Sequence, residues 1–120
     1  MSKIIVTDDD EMNLRLAEML LTRGGHEVIK AASGQECVQA VKEQGADLLL
    51  LDVLMPDMDG FETYEAVRAL PNGASLPIVF LTAAEEQEVL DKAIEMGAHS
   101  CLGKPFRHDI LLARVQEAIG

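Results

Sequence analysis

The chain has no tryptophan, one tyrosine and three phenylalanines in 120 residues, so its core must be built from Leu, Ile, Val, Ala and Met. Basic residues are also scarce: 10 Lys plus Arg stand against 21 acids, a net charge of -11. Affinity for nucleic acid comes largely from Lys and Arg neutralising phosphates, so direct nucleic-acid binding is disfavoured, and an anionic membrane surface is disfavoured for the same reason. A divalent cation or a basic protein partner is favoured instead. No apolar stretch approaches the length of a membrane-spanning helix. The opening MSKIIVTDDD has one Lys and no long apolar region, which does not fit a signal peptide. Cysteine is limited to Cys37 and Cys101, far apart and in no metal-ligand spacing. Two free thiols in a reduced, cytoplasmic protein is the simple expectation.

What is present is enough for one domain, residues 1–120, with its own core: 48% of the chain is hydrophobic and 26% charged. Four leucines, Leu48 to Leu51, run directly into Asp52. An unbroken apolar run this short reads as a strand buried on both faces, as in a parallel sheet covered by helices. The acid at its end is then held at the carboxyl edge of the sheet, where open α/β folds place their ligands and chemistry.

The rest of the chain alternates. Lys3–Thr7 reads as a strand, and Glu11–Arg23 as a helix with Leu14, Ala17, Leu20 and Leu21 inward, stopped at Gly24-Gly25. His26–Ala31 reads as a strand. Ser33 and Glu36 match a capping box that opens a helix with Cys37, Val38 and Val41 inward, ended by Gly45. Asp47–Asp52 is the third strand, and Gly60–Leu70 a helix with Phe61, Tyr64 and Val67 as core. PNGASLP is a connector. Pro77–Thr82 is the fourth strand, Glu85–Met96 a helix, and Ser100–Gly103 a short fifth strand. The last helix spans Phe106–Ile119, with Ile110, Leu111, Val115 and Ala118 inward. Five alternations of strand and helix predict a doubly wound parallel α/β sheet with five helices.

In such a sheet the strand ends share one edge. Asp8, Asp9 and Asp10 follow the first strand, Asp52 ends the third, Thr82 ends the fourth, and Lys104-Pro105 follows the fifth. Clustered carboxylates repel unless a cation compensates or one of them stays protonated. Hard oxygen ligands with room for water suit Mg²⁺ better than zinc or iron. A carboxylate beside Mg²⁺, with an ammonium and a hydroxyl nearby, can attack a phosphoryl group and become an acyl phosphate.

These pieces, namely the acid pair in IIVTDDD, LLLLDVLMPDMDG, PIVFLTA and the Lys-Pro-Phe of GKPF, resemble in order and spacing the receiver domain of two-component response regulators. The resemblance covers about Lys3 to Ile119. It implies a flavodoxin-like fold with strand order 2-1-3-4-5. It further implies that Asp52 is the phosphoacceptor and that Asp8, Asp9, Asp52 and the backbone carbonyl of Leu54 bind Mg²⁺. By the same resemblance Thr82 hydrogen-bonds the phosphoryl group and Lys104 pairs with it. The implied donor is a phosphohistidine on a histidine kinase or phosphotransfer protein. The last two helices and the fifth strand are the implied homodimer or output surface. Both a stand-alone receiver and the N-terminal part of a longer regulator fit.

Four positions depart from the family's pattern. Cys101 stands where an aromatic is usual, which leaves the output to Thr82 and the loop after it, or to another side chain such as His99. Leu54 and Ala84 are apolar where the family tunes attack by water, so slow loss of the phosphoryl group is expected. Thr7 replaces a common aliphatic. Asp10 and Glu11 fit the positive end of the first helix, and Asp57 and Asp59 fit turn and cap positions. DMDG fails as an EF-hand loop, because Met55 and Ala66 fill ligand positions. A small Mg²⁺-dependent phosphatase with an Asp nucleophile, of haloacid-dehalogenase type, and a vestigial interaction module are the other readings.

Overall fold

The leucine run separates into two pairs. β3 (Leu48–Asp52) is buried along its whole length. Leu49 and Leu51 pack into one core and Leu48 and Leu50 into the other, as the two-residue period of a strand requires. The computed structural model describes residues 2–53, 55–82, 91–92, 95, 100–103 and 108–119, with the backbone alone at 82, 100–103, 108 and 109.

In chain order the elements are β1 (Lys3–Thr7), α1 (Glu11–Arg23), β2 (Glu27–Ala31), α2 (Gly34–Gln44), β3, α3 (Gly60–Arg68), β4 (Ile78–Thr82), β5 (Ser100–Gly103) and α4 (His108–Ile119). The five strands form one sheet in the order β2-β1-β3-β4-β5, and every pairing is parallel. This is the flavodoxin-like architecture that the resemblance implied. Most of the helix expected over 85–96 lies outside the described residues, although Asp91, Lys92 and Glu95 are helical.

Local chemistry sets the helix starts. The Asp10 side chain caps α1, accepting from Met12 N at 2.9 Å. At α2 the cap differs from the expected box. Ser33 Oγ accepts from Glu36 N at 3.1 Å, but the Glu36 carboxylate returns to Ala32 N at 3.3 Å, one residue earlier than the reciprocal bond needs. The full box is at α3, where Asp59 Oδ1 accepts from Glu62 N at 2.8 Å and Glu62 Oε1 from Asp59 N at 3.3 Å.

Several expected bounds shift. β2 begins at Glu27 rather than His26, and β4 at Ile78 rather than Pro77. β3 begins at Leu48, because Asp47 bonds the start of β1 with both its side chain and its amide. α3 ends at Arg68, whose guanidinium turns to the carbonyls of Gly73 and Leu76 at 2.8 and 2.6 Å. Ile110, expected inward, is 38% exposed. Leu111, Val115 and Ala118 lie three or four residues apart on one face, and Ile110 is rotated about 100° from Leu111.

Candidate functional site

The carboxyl edge of the sheet gathers three acids. Asp8 follows β1, and its amide still bonds the Ala31 carbonyl of β2 at 3.1 Å. Its side chain is fully buried, and Oδ1 accepts from Asp10 N at 2.9 Å. Asp10 caps α1, so the acid pair and the first helix are oriented by one turn. Asp9 is exposed. Asp52 ends β3 in register with Leu81 and is 2% exposed. One carboxylate oxygen from each of Asp8, Asp9 and Asp52 lies within 4.8 Å of the other two.

Two buried acids beside a third make an all-oxygen donor set. Mg²⁺ holds oxygens at about 2.0–2.1 Å in an octahedron and keeps several waters. Oxygens sharing one such ion sit about 3–4 Å apart, so the 4.8 Å spread needs only modest closure. Water reaches the cluster through Asp9, which is exposed and borders a cavity of about 410 Å³ with Leu14, Arg15, Lys30 and Glu36 in its lining. The residues therefore fit the ion.

The loop after Asp52 is seated firmly. Gly60, the first residue of α3, donates its amide to the Val53 carbonyl at 2.9 Å. A Cβ there would overlap the Asp52 carbonyl oxygen and lie 2.7 Å from Val53 Cα. Only glycine lets α3 begin directly against the Asp52 backbone. Within the loop Asp57 has φ 67°, the left-handed region. Met58 rests over Gly34 of α2, where a Cβ would be 3.0 Å from its Cγ and Sδ.

Behind Asp8, Thr7 is fully buried. Its hydroxyl has no nitrogen or oxygen partner among the described residues. Its polar neighbour is the Cys37 thiol, a weak hydrogen-bonding group. Burial pushes that thiol from 9.0 up to about 11, with the Thr7 contact opposing the rise.

Of the residues singled out in the sequence, the structure brings Asp8, Asp9 and Asp52 together. Thr82 ends β4 on the same edge, its backbone paired with Gly103 of β5. Leu54, Ala84, His99 and Lys104 lie outside the described residues. Cys101 is placed by its backbone, opposite Phe80. The close approach of Gly60 to Asp52 was not anticipated, although Asp59, Gly60 and Glu62 carry the capping signature that marks the helix start.

Comparison with known proteins agrees with this geometry. The family profile described as response regulator receiver domain matches residues 4–116. The transcriptional regulatory protein GltR of Pseudomonas aeruginosa is 38% identical over 113 residues, covering 94% of this chain and 47% of GltR. The crystallised chemotaxis protein CheY4 of Vibrio cholerae superposes with a TM-score of 0.93 at 32% identity, covering 98% of both chains. The receiver domain of the sensor histidine kinase PA1611 of P. aeruginosa was solved with a magnesium ion in its active-site cleft. It superposes with a TM-score of 0.91 at 30% identity, covering 99% of this chain and 98% of that one. The chain spans about half the length of several curated relatives that it matches. It belongs to the receiver domains of two-component response regulators.

Proposed function

We propose that this domain, taken as residues 1–120, is a phosphoacceptor switch that receives a phosphoryl group on Asp52. The observation that carries the proposal is the meeting of two buried acids and one exposed acid at the end of a fully buried strand. The donor is a phosphohistidine on a histidine kinase or phosphotransfer protein. A carboxylate oxygen of Asp52 attacks phosphorus and an acyl phosphate bond forms. The P–N bond breaks, and its electron pair stays on the imidazole nitrogen, which is then free to take up a proton.

Asp8, Asp9, Asp52 and the Leu54 carbonyl would hold Mg²⁺. When bound, the ion supplies positive charge that offsets repulsion between the carboxylates and an incoming phosphoryl group. The Leu48–Leu51 strand keeps the nucleophile fixed. Lys104 and Thr82 take the new charge through charge-assisted hydrogen bonds. Those bonds bias the loop after β4 and the surface made by the last two helices and β5, offered to an output domain or a second copy. A cytoplasmic setting fits, and no described helix is long and apolar enough to cross a membrane. The domain turns over no external metabolite.

Incubation with acetyl phosphate and Mg²⁺ followed by intact mass tests this. One added phosphoryl group is expected in the parent, and none in Asp52→Asn or after chelation. No adduct with any donor makes the site vestigial, and sustained turnover of a phosphomonoester makes the protein a phosphatase. Leu54→Asn is expected to lose its phosphoryl group faster than the parent, by a factor of about five for each 1 kcal/mol of barrier removed.

A further inference from the structure

Three of the chain's few aromatic rings meet at one place. Phe61 of α3 approaches Phe80 of β4 edge to face, with centroids 5.2 Å apart and planes at 61°. Tyr64 stacks near the same ring at 5.6 Å and 30°. Each α3 ring is covered by a cation. The Arg68 guanidinium lies 4.8 Å from the Tyr64 centroid, and the Lys92 ammonium 4.5 Å from that of Phe61. Arg68 belongs to α3 and also ties down the connector behind it. Lys92 comes from the helical residues beyond β4. Phe61 is therefore a single ring held by α3, by β4 and by the chain that follows Thr82.

Its other connection is to the acceptor. Phe61 directly follows Gly60, whose backbone abuts Asp52 and bonds Val53. Phe80 precedes Thr82 by two residues on the same strand. The position opposite Phe80 on β5 is Cys101, which carries no ring. Among the described residues, the ring contacts of Phe80 come from α3.

We infer that Phe61 is a positioning residue that couples the state of Asp52 to the chain around Lys92. The inference rests on the phosphoacceptor reading. Charge arriving at Asp52 resets the backbone from Asp52 to Gly60 and the end of β4; Phe61 follows that backbone directly in the chain, and its ring packs on Phe80 of β4. In the resting state Lys92 sits on the ring, and loading loosens that contact. A cation over a partly exposed ring shifts such an equilibrium by a factor of about two to five.

Hydrogen exchange of the peptide spanning 91–95, measured with and without acetyl phosphate and Mg²⁺, tests it, with intact mass reporting the extent of loading. In the parent, exchange there is expected to rise about two- to five-fold on loading. Phe61→Leu keeps an apolar side chain, and Lys92→Met keeps the stem of an exposed residue without its charge. In both, exchange is expected to be high already, and the rise on loading to fall below about two-fold, at unchanged loading. Variants that load and keep the parent's full rise overturn the inference, as does a loaded parent whose segment does not respond. A parent that takes no phosphoryl group overturns the phosphoacceptor reading and this inference with it.

Discussion

On one face of the sheet, against α1 and α4, the buried layer is Ile4, Val6, Leu14, Ala17, Leu20, Leu21, Leu48, Leu50, Val79, Leu81, Leu111 and Val115, all aliphatic. On the other, against α2 and α3, the layer holds Phe80, Tyr64, Met55 and Cys37 among its aliphatics, with the buried hydroxyl of Thr7 beside the thiol. In both layers the core residues are at most 9% exposed. The difference lies in what else they can do. The aliphatic layer makes non-directional contacts that serve as a foundation. The mixed layer makes directional ones, and it is the layer on which the Asp52–Gly60 loop rests. A disturbance at Asp52 meets side chains there whose energy depends on orientation.

Neighbouring residues on β4 separate the two layers most sharply. Leu81→Ala is expected to cost about 2–5 kcal/mol and Phe80→Ala about 3–5 kcal/mol in urea unfolding. Only changes at Phe80 should alter the response of residues 91–95 to loading. An equal change from Leu81→Ala would erase the distinction.

The next effect is confined to the mixed layer and to alkaline pH. The Cys37 thiol is raised from 9.0 to about 11 in the folded protein. Below pH 9 both states keep the proton and its contribution is fully present. Above it the unfolded chain deprotonates first, so stability falls by about 1.4 kcal/mol per pH unit, or about 2–3 kcal/mol by the folded pKa. Unfolding followed from pH 8 to 11 should show this decline in the parent, and Cys37→Ala should lose that part of it.

Thr7→Val removes a buried hydroxyl that has no nitrogen or oxygen partner among the described residues. It is expected to leave stability unchanged or raise it by up to about 1 kcal/mol. It also removes the contact that holds the thiol down, so the alkaline decline should extend to higher pH. A clear loss of stability at pH 7 would mean that the hydroxyl is satisfied after all. The smallest effect is expected in the loop. Asp57→Gly relieves a left-handed backbone at the cost of chain entropy, a net gain of at most about 1 kcal/mol by thermal unfolding.

Much of this was legible in the sequence because the signals are local. The leucine run, the cap residues and the helical spacing of Leu14, Ala17, Leu20 and Leu21 each depend on a few neighbouring residues. The acid cluster became legible once the strands were taken as parallel, since that alone brings residues 8, 9 and 52 to one edge. Ile110 misled because an apolar residue next to a helical stripe looks like part of it. Glu36 misled because a three-residue spacing does not say which of two adjacent amides the carboxylate will choose. The aromatic cluster could not be read at all. Phe61, Phe80 and Lys92 are distant in sequence and meet only through the packing of α3 on β4 beneath a later helical segment.

The four leucines of β3 also pose a problem of address. If the strand slid by one residue, three of its four leucine positions would still hold leucine, and only the remaining one, taken by Asp47 or Asp52, would register the error. Side-chain packing along the run therefore carries almost no positional information. The address is written at the two ends. Asp47 clamps one end, donating its amide to the Lys3 carbonyl at 2.8 Å and accepting from Lys3 N at 2.8 Å. At the other end Val53 bonds the Leu81 carbonyl at 3.0 Å, and Gly60 closes onto Val53. A strand of interchangeable parts delivers its one distinctive residue, Asp52, to a fixed location because its punctuation, and not its text, is specific.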